Sequence, residues 1–453
     1  MDTEKLEFSN ESIASIAQKA RQLLSKYSLC NSCLGRQFAL LGHDTSNVKR
    51  GEALKLYLTL VGSELKQLEQ SSSAIELLKQ LALQGGFQPA ISTLQKLGIS
   101  IEKAKPCVIC GGLMEKFDFF KGLIEKVLEK IDYSTFLIGS KIPGKIIDRE
   151  EELRGEFKLK YGESIKGELN REIGKRLQSA EKVVDFETPD VVAVINPVTE
   201  EVELNINPLF ISGRYRKLKR GISQTKWICW NCEGKGCEEC EGKGLRYEHS
   251  VEVFIAEPVL KVFQGKEYSF HGAGREDIDA RMLGTGRPFV VEIKEPLKRS
   301  FDLELLQTEI NQKAEGNIEV LDFAWSNRGT IRNLKAQSQI TEKTYQILVE
   351  IADQVTPDAL KQADEALTRT LIQQKTPQRV IHRRADKIRS KMVYEFKTTQ
   401  KDPKKLEIVV RCQGGCYVKE LVTGDDGRTQ PNLSELLNTE IVVLELDVLN
   451  VDA

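Results

Sequence analysis

A glycine-rich segment at residues 272–289 concentrates the charged side chains that could do chemistry. It holds three acids and three arginines among four glycines. Glycine lets the backbone take a positive φ and approach a ligand closely, and Arg275 stands two residues before Asp277. A neighbouring cation keeps a carboxylate ionised, so the pattern indicates a nucleophilic carboxylate in a site that binds phosphates. The alternative is an exposed charged loop between two strands, because charged loops are common.

Four of the five cysteine pairs have the spacing of metal ligands. Cys30 and Cys33 form one CxxC motif, and Cys107 and Cys110 form another. A tetrahedral zinc ion needs four ligands, so one metal shared by these pairs would clip the N-terminal segment to the next part of the chain. The spacing alone leaves that partnership open.

A second group of cysteines lies in a tandem eight-residue repeat, CWNCEGKG followed by CEECEGKG, at residues 229–244. Its members are Cys229, Cys232, Cys237 and Cys240. The repeated CxxCxGxG unit predicts a metal site, since its glycines allow turns in which backbone amides point at thiolates. Reduced surface thiols are the alternative, and a redox role is disfavoured because no thioredoxin-like βαβ pattern surrounds the pairs. Cys412 and Cys416 are predicted to be small buried apolar residues.

Composition places the chain among ordered globular proteins. It has 453 residues, of which 40% are hydrophobic and 29% charged, enough for roughly three domains of ~150 residues. The sequence has no run of about 18 apolar residues, so no membrane span is predicted. The N-terminus lacks the pattern of a secretory signal. We therefore expect a cytoplasmic protein, in which CxxC pairs bind metals more often than they form disulfides.

The net charge of −1 hides two basic stripes. Residues 213–226 hold six basic residues and no acid, and residues 375–391 hold seven lysines and arginines, one histidine and one aspartate. Two such stripes in a neutral protein are typical of a surface that binds a polyanion. The alternative for either stripe is a solvated face.

The apolar pattern predicts helices first and a sheet later. Helices are expected at 10–30, 52–68 and 75–84, then strands at 133–139 and 190–206 around a helix at about 163–180. After residue 245, β-branched and apolar runs recur between helical patterns at 302–314 and 357–374. These runs are 251–263, 289–294, 318–325, 345–351, 392–397, 406–412 and 440–451. The order predicts an α+β fold with a mixed, mostly antiparallel sheet. The sequence has no GxGxxG motif at the start of a helix, so no nucleotide cofactor is predicted.

The turn Gly274-Arg275-Glu276-Asp277 resembles the Gly-Arg-x-Asp turn that carries the nucleophilic aspartate of pseudouridine synthases. Residues 273–289 resemble one family in particular, the pseudouridine synthase family numbered ten, found in archaea and eukaryotes, which modifies the TΨC arm of tRNA. Residues 213–225 resemble its signature before the cysteines, residues 374–386 its thumb-region motif, and residues 416–429 a superfamily motif with a basic residue before Leu or Ile. The resemblance spans nearly the whole chain.

The resemblance implies a role for each of five residues at the site. Asp277 is the nucleophile, Tyr345 the active-site tyrosine, and Lys419 the basic residue that pairs with the aspartate. Leu421 is the apolar residue that supports the site, and Arg275 the arginine that helps to displace the target base. Lys419 and Arg275 are the expected cations that keep Asp277 ionised.

The resemblance also implies a tRNA partner and structural zinc, with no organic cofactor. The first four cysteines match the family's N-terminal zinc ligands, and the tandem repeat is predicted to bind a second zinc. RNA contacts are expected from the two basic stripes. The residues are Arg214, Tyr215, Arg216, Lys217, Lys219, Arg220, Arg379, His382, Arg383 and Arg384. We predict no membrane and no nucleotide cofactor, and the sequence indicates no oligomeric state.

Four parts of the chain are expected. They are an N-terminal helical zinc-binding region at 1–120, a THUMP-like RNA-binding domain at 121–226, a zinc-knuckle junction at 227–245 and the catalytic domain at 246–453. The leading hypothesis is a tRNA pseudouridine synthase (an isomerase) acting at positions 54 and 55 of tRNA. One alternative is a non-catalytic zinc-containing tRNA-binding protein or tRNA chaperone, which has no need of Asp277 beside Arg275. A methyltransferase with a THUMP-type domain is a third hypothesis, and the missing cofactor fingerprint counts against it.

Overall fold

The computed structural model describes residues 10–67, 71–247, 249–337 and 341–452. The chain forms two compact units, one ending at Ile206 and the other beginning at Asn207. None of the described helices combines the length and the apolar character needed to cross a bilayer.

The first unit is mostly helical and carries a small sheet. Its helices are α1 (Asn10–Lys26), α2 (Asn31–Arg36), α3 (Asn47–Gln67), α4 (Ser71–Leu83), α5 (Gln88–Lys96), α6 (Phe117–Leu128), α7 (Gly144–Phe157) and α8 (Ile165–Leu177). Its strands are β1 (Thr135–Ser140), β2 (Val183–Val184), β3 (Val191–Asn196) and β4 (Glu201–Ile206). In the described residues they pair in the order β2-β1-β3-β4, and only β3 and β4 run antiparallel.

One hydrophobic core joins the helices of the first unit to its sheet. The core runs from Ala20 on α1 to Ile195 on β3 without a break. A buried ion cluster adds to it, because the fully buried Arg36 guanidinium lies 2.6 Å from Glu150 and 2.8 Å from Glu168. The helical region expected at 1–120 therefore shares its hydrophobic core with the THUMP-like domain expected at 121–226.

The second unit is built on one large sheet. Its helices are α9 (Val251–Phe263), α10 (Leu303–Lys313), α11 (Arg328–Gln337), α12 (Pro357–Leu367), α13 (Val418–Thr423) and α14 (Leu433–Leu437). Its strands are β5 (Leu209–Lys217), β6 (Glu267–Gly272), β7 (Ala280–Lys294), β8 (Ile318–Ser326), β9 (Glu342–Ile351), β10 (Thr370–Lys375), β11 (Ile388–Asp402), β12 (Lys405–Gln413), β13 (Thr429–Gln430) and β14 (Ile441–Val451).

The sheet order places the start of β7 at the centre of the second unit. Within the described residues the ten strands run β13-β10-β11-β12-β9-β14-β7-β5-β8, with β6 beside β7. All of these pairs are antiparallel except β14 with β7, which are parallel where Leu446 lies opposite Ala280. On the other side of β14, Val448 lies opposite Tyr345 of β9. The loop before β7, which carries Asp277, is therefore two strands away from Tyr345.

The α+β class and the mostly antiparallel sheet are confirmed, but two element predictions are wrong. The run 251–263 is the helix α9, because the Ser250 side chain caps its Val253 amide and the buried residues recur at helical spacing. The helical pattern at 357–374 ends at Leu367, and the strand β10 comes next. The helix α7 was not predicted.

The boundary expected at residue 226 lies elsewhere in the structure. Strand β5 pairs with β7 and β8 along its length. Residues from 207 onward therefore fold with the large sheet, and the first basic stripe belongs to the unit that also carries Asp277.

Candidate active site

The loop between β6 and β7 (residues 273–279), which we call the Asp277 loop, presents Asp277 to a cavity of about 750 Å³. The floor of this cavity is the central part of the sheet, and its walls come from the Asp277 loop and from the segments before α13 and after β10. Its lining includes Tyr345, Lys343, Arg379 and Lys419. A cavity of this size can enclose a small molecule or a single nucleotide.

The Asp277 loop is held from below by the buried carboxylate of Glu276. The Arg287 guanidinium lies 2.8 Å from this carboxylate, and both side chains are almost completely buried. The Tyr215 hydroxyl donates to the same carboxylate at 2.9 Å, and Gln224 donates to the Tyr215 oxygen at 2.7 Å. Burial raises the pKa of Tyr215 well above its usual value, and the Glu276 charge adds to this effect. The phenol therefore stays protonated and keeps its hydrogen bond.

Further bonds tie the loop backbone to the same buried layer. Arg287 also donates to the Ala273 carbonyl at 2.7 Å, and Gln224 donates to the Gly274 carbonyl at 2.9 Å. The buried Lys217 ammonium donates to the carbonyls of Asp277 at 3.0 Å and Ile278 at 3.2 Å. The backbone on both sides of the Asp277 side chain is thus fixed.

Two cations hold the Asp277 carboxylate at the cavity. Arg379 lies 3.1 Å from it and Lys419 lies 3.5 Å from it, while the aspartate side chain stays 36% exposed. Each cation has a second carboxylate partner, Glu420 at 2.6 Å from Arg379 and Asp279 at 2.8 Å from Lys419. The arrangement neutralises and orients Asp277 without sealing it from a ligand.

Arg275 does not take the role of ion-pair partner that the sequence indicated. In the described part of the chain, the ion pairs of Asp277 are those with Arg379 and Lys419. The Arg275 guanidinium instead lies 5.3 Å from the ring centre of Trp227, and both residues line the cavity. Arg379 was predicted only as an RNA contact, and nothing in the local sequence signals that it reaches a carboxylate about a hundred residues away.

Tyr345 and Lys343 enter the cavity from β9. Burial raises the pKa of Tyr345 well above its usual value, so its phenol is neutral. Burial, together with the Arg287 charge, lowers the pKa of Lys343 to about 8, and no hydrogen bond or ion pair to its ammonium is found among the described residues. Gly274 has a φ of +85°, a conformation that residues with a Cβ rarely adopt, so glycine is favoured there.

Sequence reasoning did not single out Lys343, because a lysine in an alternating strand pattern looks like a solvent-facing residue. Leu421, which the resemblance placed beneath the site, is fully buried in α13. It packs two residues beyond Lys419 and so fixes the short helix that carries this cation.

The first basic stripe contributes more to the fold than to a free surface. Strand β5 alternates, so Tyr215 and Lys217 point inward and are fully buried, and the RNA contact expected of these two side chains does not fit. Arg214 donates to backbone carbonyls of Thr285, Gly286 and Val451. Arg216 pairs with Glu319, and Arg220 with Glu445 and Asp447. Lys219 is exposed.

The second basic stripe lies at the cavity. Arg379, Arg384, Arg389 and Lys391 line it, and Arg384 donates to the Tyr417 hydroxyl at 3.0 Å. His382 is exposed, and the side chain of Arg383 lies outside the part that the structure describes. This stripe therefore presents several cations to whatever occupies the cavity.

The structure brings each group of four cysteines together. In each group the four sulfur atoms lie within 4.8 Å of one another, among the residues described. Neighbouring sulfurs are 3.7 Å apart for Cys30 and Cys110, and 3.9 Å apart for Cys229 and Cys237. A tetrahedral zinc with Zn–S bonds of ~2.3 Å needs sulfurs about 3.8 Å apart. Both groups therefore fit a metal ion held by four thiolates, and the pairing of the two N-terminal CxxC motifs is resolved.

Comparisons with known families and proteins match most of the chain. The family model described as Pus10, C-terminal, matches residues 210–452, and the model of the archaeal Pus10 THUMP domain matches residues 121–196. A relative from Methanocaldococcus jannaschii, named tRNA pseudouridine synthase Pus10, is 46% identical over 440 residues, covering 95% of this chain and 93% of the relative. A Pyrococcus furiosus protein of the same name is 37% identical over 441 residues, covering 96% and 98%. A solved pseudouridylate synthase covers 56% of this chain and 70% of its own at 14% identity, but its TM-score of 0.20 is too low to carry an argument.

Replacing Arg287 with methionine should lower the free energy of unfolding of the second unit by about 3–5 kcal/mol, because it leaves a buried carboxylate unpaired. Urea titration followed by tryptophan fluorescence measures this, since all three tryptophans lie after residue 206. Lys294→Met on the same strand is the matched control, because its pair with Glu267 is exposed and should contribute no more than about 1 kcal/mol. Equal losses in the two variants would show that the buried pair does not stabilise the loop.

Proposed function

The chain belongs to the Pus10 family of tRNA pseudouridine synthases, and from this membership we propose that it isomerises uridine to pseudouridine at positions 54 and 55 in the TΨC arm of tRNA. Asp277 is the proposed nucleophile. The observation that carries the proposal is the Asp277 carboxylate at the cavity, between Arg379 and Lys419, on a loop fixed by the buried Glu276.

The reaction breaks the bond between uracil N1 and ribose C1′, turns the uracil, and joins its C5 to C1′. The proton lost from C5 balances the one gained at N1, so no oxidant and no energy source are needed. Asp277 can serve by attacking the sugar or the base, or by abstracting a sugar proton. In each case the carboxylate must be charged and aimed, and the two cations offset the cost of removing it from water.

Tyr345 supplies an aromatic face for the uracil. Stacking of a base on such a ring contributes roughly 1–3 kcal/mol. Because its pKa is raised well above the usual value, the phenol keeps its proton and can donate a hydrogen bond to the turning base. Leu421 supports this geometry indirectly, by packing beneath the helix that carries Lys419.

The cations of the cavity compensate for extrusion of the target base. Removing a nucleotide from a folded loop costs a few kcal/mol. Arg384, Arg389 and Lys391 line the cavity and would bind the phosphates on either side of the extruded uridine, and the buried Lys343 would add positive charge inside the cavity. Arg275, exposed at the rim, is the proposed residue that displaces the base. The segment matched by the THUMP model would bind tRNA at a second point.

We propose that zinc occupies both cysteine groups. Four thiolates complete a tetrahedral shell and leave no open position, so a structural role fits them and catalysis by the metal does not. The first group would join the segments around Cys30 and Cys107, and the second would close the repeat at residues 229–244. Zinc would supply the cross-links that hold these short segments in place.

Asp277→Asn should abolish pseudouridine formation, with a rate loss of at least about 10³-fold. The measurement incubates the full chain with an unmodified tRNA transcript and maps pseudouridine by carbodiimide adduct and primer extension. Asp279→Asn is the matched control, because Asp279 lies on the same loop and also pairs with Lys419, but its side chain is 62% exposed against 36% for Asp277; it should lose less than about tenfold.

Stops in the TΨC loop for wild type and for Asp279→Asn, but not for Asp277→Asn, are the expected result. Normal activity of Asp277→Asn would contradict the assignment of the nucleophile. Tight tRNA binding with no pseudouridine from any variant, wild type included, would instead favour the non-catalytic tRNA-binding alternative.

Metal analysis of the purified chain should find two zinc ions. The Cys229→Ser and Cys237→Ser double variant should hold one zinc ion per chain, because two remaining thiolates no longer complete the shell. The measurement is elemental analysis after extensive dialysis. A single zinc ion in wild type, unchanged in the double variant, would overturn the second site.

The rate should fall above pH 8 because of Lys343. Its pKa is lowered to about 8, so the ammonium is charged below that pH and loses its charge above it. Single-turnover rates should drop up to about tenfold from pH 7 to pH 9, the fraction of charge lost one unit above the pKa. Lys343→Arg, which stays charged, should remove the drop, and Lys343→Met should be slow at both values. An unchanged drop in Lys343→Met would assign it to another group, such as Lys217, whose pKa is also about 8.

A further inference from the structure

Alternating rings and guanidiniums run from the cysteine repeat to the Asp277 loop. The Arg246 guanidinium lies 4.2 Å from the ring centre of Trp230 and 6.0 Å from that of Trp227. The Trp227 ring also lies 5.3 Å from the Arg275 guanidinium. We call Trp230, Arg246, Trp227 and Arg275 the ladder. It ends at the cavity, which both Trp227 and Arg275 line.

The cysteine repeat positions the ladder through the short paired segments at its base. Ile228 and Leu245 form an antiparallel bridge, and the Arg246 amide donates to the Trp227 carbonyl at 2.8 Å. Tyr247 packs edge-on against Trp227, with ring centres 5.4 Å apart. A metal held by the four cysteines would therefore fix the ladder as well as the repeat itself.

The ladder is open to solvent. Trp230 is 70% exposed, and Arg246 and Arg275 are exposed as well. Trp325 is less exposed, at 48%, and packs against Phe263 with ring centres 5.7 Å apart. An indole left in water gains nothing from burial in the folded chain, so packing does not explain Trp230. A flat ring with a guanidinium over it is a surface on which a further flat ring can stack.

The charge around the ladder favours unpaired bases over a duplex. The repeat carries four glutamates, at 233, 238, 239 and 241, which oppose close approach of a dense phosphate backbone. Three of these glutamates lie in or directly after the short helical turn at Glu238–Cys240, whereas Trp227 and Arg246 flank the paired residues Ile228 and Leu245. Stacking needs little net positive charge, and every base has a face that can stack.

We propose that the ladder binds the unpaired RNA nucleotides next to the target uridine, with a base stacked on Trp230 and the Arg246 and Arg275 guanidiniums ordering the strand toward the cavity. This assignment rests on the proposed function, because it takes the cavity as the place of the target uridine. In this proposal the cysteine repeat helps to bind the RNA, because it positions the ladder. The ladder sets which nucleotide reaches Asp277 by holding its neighbours at a fixed distance.

The test uses the full chain with its metal and an unmodified TΨC stem-loop RNA. Trp230→Ala should weaken binding by about 5- to 100-fold, the range for loss of one base stack, and Trp230→Phe should restore most of it. Ile228→Ala is the matched control, because Ile228 is 61% exposed on the same segment but offers no ring. Metal content equal to that of wild type confirms that each variant keeps the folded repeat.

Two further readouts separate stacking from charge. Trp230→Ala should leave the slope of log Kd against log salt unchanged, since it removes no phosphate contact. Stem-loops that carry one abasic nucleotide, at each position beside the target in turn, are then compared. At one position the abasic change should weaken binding to wild type but should not weaken binding to Trp230→Ala any further. Such non-additivity is expected when the residue and the base are in direct contact. Wild-type affinity of Trp230→Ala, or full additivity at every position, would overturn the ladder.

The outcomes also separate this proposal from the proposed function. If wild type forms pseudouridine and Trp230→Ala binds and reacts as wild type does, the ladder is wrong and the function stands. If wild type binds the stem-loop and shows the Trp230 coupling but forms no pseudouridine, the ladder stands and the enzymatic proposal fails.

Discussion

The site depends on one buried carboxylate. Glu276 lies beneath the Asp277 loop with its charge met by Arg287 and its oxygens by the Tyr215 hydroxyl. A buried carboxylate is costly unless it is paired and hydrogen-bonded, so this arrangement admits few other positions for the loop. Because Asp277 follows Glu276 directly, fixing the first carboxylate fixes the second. The buried pair therefore limits the directions in which the Asp277 carboxylate, the proposed nucleophile, can point.

The two neighbouring acids have opposite environments, and this difference supports the roles proposed for them. Glu276 is held by groups from β5 and β7, which are strands of the rigid sheet, and it has no access to a ligand. Asp277 faces the cavity and is held by Arg379 and Lys419, which come after β10 and β12. Its partners have carboxylates of their own, so their positions do not depend on Asp277 alone. Loss of the Asp277 charge on reaction would therefore leave the cations in place.

Local motifs predicted the residues whose partners lie close in sequence. They missed residues whose partners come from distant strands of the sheet. Short motifs predicted Asp277 and Lys419, which the structure places 3.5 Å apart, and the two groups of cysteines, which it brings together. The burial of Lys217 was missed because two of its carbonyl partners, those of Asp277 and Ile278, are 60 and 61 residues away in sequence and are brought near by pairing of β5 with β7. A basic stripe on a strand alternates between two faces, so only every second residue could reach RNA. The helix α9 was missed because its β-branched residues favour strands and its Ser250 cap was overlooked.

The measurement that tests the central claim most directly is a crystal structure of the Asp277→Asn variant with a TΨC stem-loop bound. The account predicts that the target uridine is out of its stack and inside the cavity. The substituted side chain should lie within about 3.5 Å of the uridine's ribose or base, a distance at which reaction can begin. Arg379 and Lys419 should flank it, and the Tyr345 ring should lie against the uracil. A uridine bound outside the cavity, or one that faces Asp279 rather than residue 277, would contradict the account.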